Sequence, residues 1–191
     1  MKTYEIKIEG ATDALQNRLS KELADDLKQA PRGKKDEWEE ANWKKKRYTK
    51  DIEGKEYIVW PELNLHSMLV DACKRYRIAP PTALGKTWTN YVKAGVLIPE
   101  HAVIEGTITS FSSMVNGNPS AAKKSSKVYR VRPKISSGWT ASFKIIDTEE
   151  YLDMGILKGI LEIGGLYVGI GDWRPQFGRF YVKQVKAVQN G

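Results

Sequence analysis

Alternation of apolar and polar side chains predicts most of the strands in this chain. A period of two over four or more residues is typical of a half-buried strand. This pattern predicts strands at Thr3 to Glu9, Glu56 to Trp60, Lys127 to Ile135, Trp139 to Ile146 and Arg179 to Val188. The range Val96 to Ile108 is expected to be extended, with Pro99 limiting it to an edge or a bend. The strand from Lys127 and the strand from Trp139 flank Ser136-Ser137-Gly138, and this turn predicts that they form a hairpin.

Apolar residues spaced by three and four predict the helices. We expect helices over Asp13 to Lys28, from Pro61 past Cys73, over Thr82 to Lys93, and from Asp147-Thr148-Glu149-Glu150 to Gly164-Gly165. The charged stretch Lys34 to Lys50 is predicted to be an exposed, partly helical insertion. The stretch Ser110 to Ser126, rich in Ser, Gly, Asn, Ala and Lys, is predicted to be a mobile loop.

The order of these elements predicts an α+β fold. The final strand pair, helix and strand favour a ferredoxin-like (RRM-like) core with an antiparallel sheet and large insertions. We expect residues 1–191 to form a single domain, with insertions at about 31–50 and 80–126.

Composition excludes several classes of protein. The chain contains 41% hydrophobic residues and one cysteine, and no apolar run is long enough for a transmembrane helix. A disulfide-built protein is excluded, and a cysteine-built zinc site is not expected. Neither a signal peptide nor a cofactor or metal motif is visible, so we expect a soluble, cytoplasmic protein without membrane, cofactor or metal.

The distribution of charge predicts a polyanionic partner. The net charge is +8 and the pI is about 9.4. No Asp or Glu occurs from Gly106 to Ile146, and a domain with such a basic region is a candidate for binding nucleic acid. The candidate cations from this region are Lys123, Lys124, Lys127, Arg130, Arg132 and Lys134.

The segment Gly169 to Phe180 is the most distinctive motif. Its glycines allow close backbone approach, its arginines suit phosphate, and its aromatic rings offer stacking faces. The candidate binding residues are Gly169, Gly171, Trp173, Arg174, Gly178 and Arg179. The alternative is a structural turn whose aromatics pack inward and whose Asp172 pairs with an arginine.

The glycine-rich segment before the last strand resembles that of the RAMP (repeat-associated mysterious protein) superfamily. Segments Ile8 to Leu15 and Ile58 to Ala72 resemble the first strand and the strand-Pro-helix segment of its CRISPR effector backbone-subunit branch. The resemblance implies a ferredoxin-like, RNA-binding protein whose subunits stack as a filament on guide RNA. It also implies that residues 80–126 take the place of a thumb-like element, and it extends to stand-alone relatives in phages and prophages.

Three hypotheses follow. The first is a non-catalytic, sequence-tolerant protein that binds single-stranded RNA or DNA, RNA being favoured, as a homo-oligomeric filament or ring or with CRISPR effector subunits. The second is a phage interaction protein that mimics or inhibits a CRISPR complex through Trp38, Trp43 and the insertion, or a phage single-stranded DNA-binding or recombination accessory protein. The third is a metal-dependent nuclease using Asp13, Asp25 or Asp172.

Overall fold

The computed structural model describes residues 1–31, 33–81, 84, 86–116 and 127–188. Within these ranges the strands are β1 (Lys2–Gly10), β2 (Ala14–Leu15), β3 (Thr49–Ile52), β4 (Lys55–Trp60), β5 (Val96–Leu97), β6 (Ala102–Glu105), β7 (Ile108–Asn116), β8 (Lys127–Ile135), β9 (Thr140–Asp147) and β10 (Phe180–Val188). The helices are α1 (Lys21–Gln29), α2 (Lys35–Asn42), α3 (Glu62–Cys73), α4 (Trp88–Gly95) and α5 (Met154–Ile163). A 3-10 turn (Trp43–Lys46) follows α2, and a π-helical turn (Gly164–Val168) follows α5.

The main sheet confirms the predicted α+β, ferredoxin-like architecture. Its strand order is β10-β1-β9-β6-β4-β3, with β5 paired to β9, and the pairs are antiparallel. Taken in chain order, β1, α3, β6, β9, α5 and β10 give the β-α-β-β-α-β succession of that fold. The hairpin of β3 and β4 extends the sheet at one edge.

The hydrophobic core lies between this sheet and its helices. Alternate residues of β1, namely Tyr4, Ile6 and Ile8, are buried, as are apolar residues at helical spacing on α3 and α5. Burying a large apolar side chain contributes about 1.5–3 kcal/mol, so this face fixes the register of β1. The opposite face carries the exposed side chains of Glu5 and Lys7. No helix in the described part of the chain has the length and apolar character required to span a bilayer.

The hairpin predicted between Lys127 to Ile135 and Trp139 to Ile146 is wrong, although both strands exist. β8 pairs with β7 over nine residues and with β2, forming a separate three-stranded sheet, whereas β9 pairs with β1, β5 and β6. Gly10, at the end of β1, accepts from the Gly138 amide at 2.8 Å and donates to the Trp139 carbonyl at 2.7 Å. The chain that leaves the turn is therefore held by β1 of the main sheet and does not return along β8. Turn residues alone do not specify which strand will be the partner.

The predicted loop of 110–126 is also partly wrong. Residues 110–116 belong to β7, because full main-chain pairing with β8 outweighs the low hydrophobicity of this serine-rich stretch. Residues 117–126, which include the candidates Lys123 and Lys124, lie outside the described residues.

Three helices begin later in the chain than predicted, and one of them, expected over Thr82 to Lys93, is α4, which begins at Trp88. Residues 14–15 form β2 against β8, and α1 begins only after Ser20, whose hydroxyl accepts from the Leu23 amide at 3.2 Å. Asp147 does not start a helix, because its buried carboxylate accepts hydrogen bonds from the Tyr91 hydroxyl and the Leu152 amide. α5 begins at Met154, with Asp153 as its N-cap.

Candidate nucleic-acid interface

The glycine-rich loop (residues 169–179) is tied to the body of the protein by its main chain. The Asp172 amide donates to the Leu15 carbonyl at 2.8 Å, and the Gly178 amide donates to the Asp13 carbonyl at 2.8 Å. These two amides are occupied within the protein and are therefore not free to hold a phosphate. The loop is thus anchored beside β2 and the start of the three-stranded sheet.

Two of the candidate glycines are required by the packing of this loop. Gly171 has a φ of 90°, and a Cβ there would lie 2.4 Å from the Leu15 carbonyl oxygen. Gly178 has a φ of 75°, and a Cβ there would lie 1.8 Å from the Ile170 carbonyl oxygen. Both positions therefore exclude other residues for reasons within the fold, and their contact with a partner stays a prediction, as does that of Gly169.

Arg132 joins the three-stranded sheet to the glycine-rich loop. Its Nε donates to the Asp172 carboxylate at 2.6 Å, and its guanidinium lies 4.4 Å from the ring centroid of Trp173. The residue is only 7% exposed, so its charge is used inside the protein. Asp172 thus pairs with an arginine, as the structural alternative for this motif predicted.

Trp173 forms the exposed part of an aromatic cluster. Its ring packs edge-on against Phe111 of β7 at a centroid distance of 5.9 Å, and Phe177 lies within 5.3 Å of Phe111. Trp173 has a φ of 55°, which is rare for a bulky residue, and its side chain keeps 36% of its surface exposed. Strained backbone of this kind is concentrated at functional sites. The arrangement leaves a supported aromatic ring at the surface, where a base could stack.

A polar cleft lies next to this cluster, between the glycine-rich loop, the segment after β2 and the first half of α3. Its volume is about 190 Å³. The residues that line it are Gln16, Asn17, Tyr48, Asn64, Ser67, Gly171, Asp172 and Arg174. The side chains are mostly amides and hydroxyls, so the cleft offers both hydrogen-bond donors and acceptors. Such groups suit the edge of a base or a ribose.

Arg174 closes one side of the polar cleft. Its guanidinium contacts the Asp71 carboxylate at 3.1 Å and the Ser67 hydroxyl at 3.4 Å, both on α3. Asp71 also accepts from Lys74 at 2.7 Å. The hydrogen bond from Lys74, reinforced by the charges of Lys74 and Arg174, lowers the pKa of Asp71. Asp71 is therefore ionised at neutral pH and neutralises much of the charge of Arg174.

Arg130 and Lys134 are likewise paired with carboxylates. Arg130 donates to the buried Glu39 at 3.0 Å, and Lys134 lies 3.3 Å from Asp13. Among the described candidates, Arg130, Arg132, Lys134 and Arg174 thus all have an acidic partner. Lys127, at the exposed start of β8, and Arg179, whose Nε donates to the Pro175 carbonyl at 2.9 Å, have no ion pair in the described residues.

The structure therefore brings together only some of the predicted site residues. Gly171 and Arg174 line the polar cleft. Arg132 and Trp173 lie beside it, since Arg132 pairs with the lining residue Asp172 and contacts the Trp173 ring, whereas Arg130 pairs with Glu39 on α2. The stretch of residues 34–50, predicted to be an exposed insertion, is partly buried at this point, with Glu39 and Lys46 almost inaccessible. The site consists of hydrogen-bonding groups and an aromatic ring more than of free cations.

Sequence reasoning missed most of the lining of the polar cleft. Asn64, Ser67 and Asp71 recur at helical spacing on α3 and form a polar stripe that faces Arg174 and the cleft. This stripe is visible in the sequence and could have identified one face of α3 as part of a polar site. Gln16, which hydrogen-bonds the Val59 carbonyl and the Tyr48 amide, gave no comparable signal because its role depends on the fold.

Comparison with solved structures finds other chains with a similar fold. One chain of a structure described as "Cryo-EM structure of the Type III-B Cmr-beta bound to cognate target RNA" matches with a TM-score of 0.57 and 11% identity. The match covers 98% of this chain and 61% of that chain. A chain of a structure described as "CRISPR RNA-guided surveillance complex" matches with a TM-score of 0.44 and 11% identity, covering 96% and 68%. No protein-family model and no curated protein matches, so the similarity concerns the fold alone.

Proposed function

We propose that this chain binds single-stranded RNA without cleaving it, as a subunit similar to the backbone subunits of CRISPR RNA-guided complexes. The observation that carries the proposal is the polar cleft and its position beside the exposed ring of Trp173. A base can stack on this ring while the adjoining sugar enters the cleft. Stacking on an aromatic side chain contributes about 1–3 kcal/mol per base and accepts any sequence.

The chemistry of the cleft favours RNA over DNA. Asn17, Asn64 and Ser67 present amide and hydroxyl groups, and a ribose 2′-hydroxyl can both donate to and accept from such groups. Because Asp172 and Arg174 are each paired with an opposite charge, the cleft has little net charge. Recognition then depends on hydrogen bonds to the sugar or base, with phosphate contacts made outside the cleft.

The similarity to a chain from a complex bound to target RNA supports RNA and CRISPR effector subunits as partners. It is a similarity of fold at low identity, so no binding residue is transferred from it. Assembly into a filament or ring, and an origin in a phage, stay predictions.

Substitution of Asn64 tests the proposal with a matched control. Asn64→Asp adds one negative charge inside the cleft without changing side-chain size, and an acid in the first turn of α3 is favourable to the helix. Leu63→Asp adds the same charge at a neighbouring residue that is 73% exposed and does not line the cleft. We expect N64D to weaken binding of a labelled 20-nucleotide RNA about tenfold, and L63D to leave binding close to that of the parent chain.

Fluorescence anisotropy at several salt concentrations measures this difference. The absence of RNA binding by the parent chain at low salt would contradict the proposed function. Equal weakening by N64D and L63D would contradict the location of the site in the polar cleft.

The nuclease hypothesis has little geometric support. Asp13, Asp25 and Asp172 pair with three different cations, namely Lys134, Lys28 and Arg132. Across the described ranges, no group of three or more His, Cys, Asp or Glu side chains is placed to hold a metal ion. We therefore expect the labelled RNA to stay intact during prolonged incubation with Mg²⁺, and appearance of shorter products on a denaturing gel would contradict this part of the proposal.

The interaction-protein hypothesis is less favoured by the structure. Trp38 and Trp43, which would supply its contact surface, are half-buried, and each has a lysine ammonium within 6 Å of its ring, at 5.7 Å for Lys46 and 5.8 Å for Lys44. These rings are thus already engaged within the insertion.

A further inference from the structure

A second groove lies at the C-terminal end of α3, where it meets the π-helical turn. It has a volume of about 780 Å³. We call it the basic groove, and its lining residues are Lys74, Arg75, Tyr76, Arg77, Ile78, Ile163 and Tyr167. In the described part of the chain, the lining contains three basic side chains and no carboxylate.

The cations of the basic groove differ from those of the predicted site. Lys74 pairs with Asp71, but Arg75 and Arg77 are exposed and form no ion pair with any residue that the structure describes. Their charges are therefore not compensated by the fold. An arginine guanidinium in this state is suited to bind a phosphate through paired hydrogen bonds.

Close packing at three glycines holds Tyr76, which lies between Arg75 and Arg77 in the sequence, and the π-helical turn in place. Tyr76 lies against Gly159 of α5, where a Cβ would come within 2.7 Å of its ring. Gly164 and Gly165 press the π-helical turn against Met68 and Phe180, where a Cβ would lie 2.4 Å from the Met68 Sδ and 2.1 Å from the Phe180 carbonyl oxygen.

This tight packing turns the next two side chains of the π-helical turn outward. Leu166 is 51% exposed and Tyr167 is 52% exposed. π-Helical turns are rare and are frequently found at functional sites. The turn thus presents a tyrosine ring beside two uncompensated arginines.

We propose that the basic groove holds the phosphates and a stacked base of the same RNA strand after it leaves the polar cleft. This inference rests on the proposed function and extends its binding track along α3. Asp71 contacts both Arg174 of the polar cleft and Lys74 of the basic groove, so the two sites are contiguous. At the helical rise per residue, Asn64 and Lys74 are about 15 Å apart along α3. This distance is longer than the spacing of neighbouring nucleotides in a stacked strand, so a strand that contacts both sites must extend over more than one nucleotide.

The combination of groups favours a nucleic acid over an acidic protein segment. Carboxylates of a protein would satisfy the two arginines, but they would leave the half-exposed ring of Tyr167 without a planar partner. A polynucleotide supplies phosphates and flat bases together.

The double variant R75A/R77A tests the proposal against K144A/K186A. The control removes the same charge from β9 and β10, at exposed positions that both pair with Glu5 in the main sheet. We expect R75A/R77A to weaken binding of a 20-nucleotide RNA about tenfold and to reduce the slope of log K against log salt by about 1.4, since each phosphate contact contributes about 0.7 for a single strand. Y167A should weaken binding at least fivefold with little change in slope.

Anisotropy titrations from low to physiological salt provide these values, with circular dichroism as a check of folding. If the parent chain binds RNA but R75A/R77A keeps its slope, or loses no more than K144A/K186A, the basic groove is not on the RNA track although the proposed function stands. If the parent chain fails to bind RNA, the proposed function itself fails. If poly-glutamate binds the parent chain more tightly than RNA and R75A/R77A loses that binding, the groove takes an acidic protein segment and the inference is overturned.

Discussion

Gly171 shows why individual residues in the glycine-rich loop are fixed by the fold before any ligand is considered. Its positive φ and the nearby Leu15 carbonyl leave no room for a side chain. The carbonyl accepts from the Asp172 amide, so the close approach positions the aspartate that holds Arg132. A change at Gly171 should therefore disturb Trp173 as well, since Arg132 supports its ring.

We expect Gly171→Ala to lower the free energy of unfolding by more than about 2 kcal/mol, because left-handed backbone strain and a steric clash act together. Gly54→Ala is the control, since Gly54 has a φ of 79° and no atom within 4 Å of a Cβ built there. That variant should lose only about 1 kcal/mol, from the backbone alone. Urea denaturation followed by tryptophan fluorescence measures both, and equal losses would contradict the close approach.

The segment formed by α2 and the 3-10 turn packs on β8 through a buried ion pair. Glu39 accepts from the Val131 amide at 2.8 Å, and Lys46 donates to the Val131 carbonyl at 2.9 Å and to Glu39. β2 pairs only with Ile135 and Lys134 of β8. At Val131, where β2 no longer reaches, the side chains of Glu39 and Lys46 make the main-chain hydrogen bonds that a neighbouring strand would make. Burial lowers the pKa of Lys46, and its hydrogen bond to Glu39 offsets part of this effect.

We expect Glu39→Ala to destabilise the protein by about 3–5 kcal/mol, because it leaves the buried Lys46 ammonium without its counter-ion and the Val131 amide without an acceptor. The double variant E39L/K46M removes both charges, and it should be more stable than E39A by at least about 1 kcal/mol. Thermal and urea denaturation of the two variants provide the comparison. A double variant less stable than E39A would show that the hydrogen bonds to Val131 matter more than the buried charge.

The positions of strands and helices were largely predictable from the sequence, but their pairing was not. Alternation located β1, β8, β9 and β10, since burial of one face follows directly from the order of apolar residues. The three-stranded sheet was not foreseen, because β7 is stabilised by main-chain pairing and has few apolar residues. Choice of partner depends on contacts distant in the sequence.

The candidate site was predictable only in part for a similar reason. The sequence located Trp173 and the glycine-rich loop by composition. It did not show that Arg130, Arg132, Lys134 and Arg174 each have a carboxylate partner, because those acids lie far away in the chain. An acid-free stretch of sequence is therefore not an acid-free surface.

The molecule as a whole places both proposed binding surfaces along one helix. The ferredoxin-like core brings the glycine-rich loop against the first half of α3, and α5 with the π-helical turn against its second half. The polar cleft supplies hydrogen bonds and a stacking ring, and the basic groove supplies uncompensated arginines. The open face of the main sheet, with Glu5, Lys7 and Lys144 in a shallow cleft, has mixed charge.

Photo-crosslinking tests this account most directly. A 20-nucleotide RNA containing 4-thiouridine would be irradiated with the parent chain, and the crosslinked peptides identified by mass spectrometry. We predict crosslinks at Trp173 and Tyr48 of the polar cleft region and at Tyr167 of the basic groove. Crosslinks confined to the open sheet face around Lys7 and Lys144 would contradict the central claim that RNA follows α3.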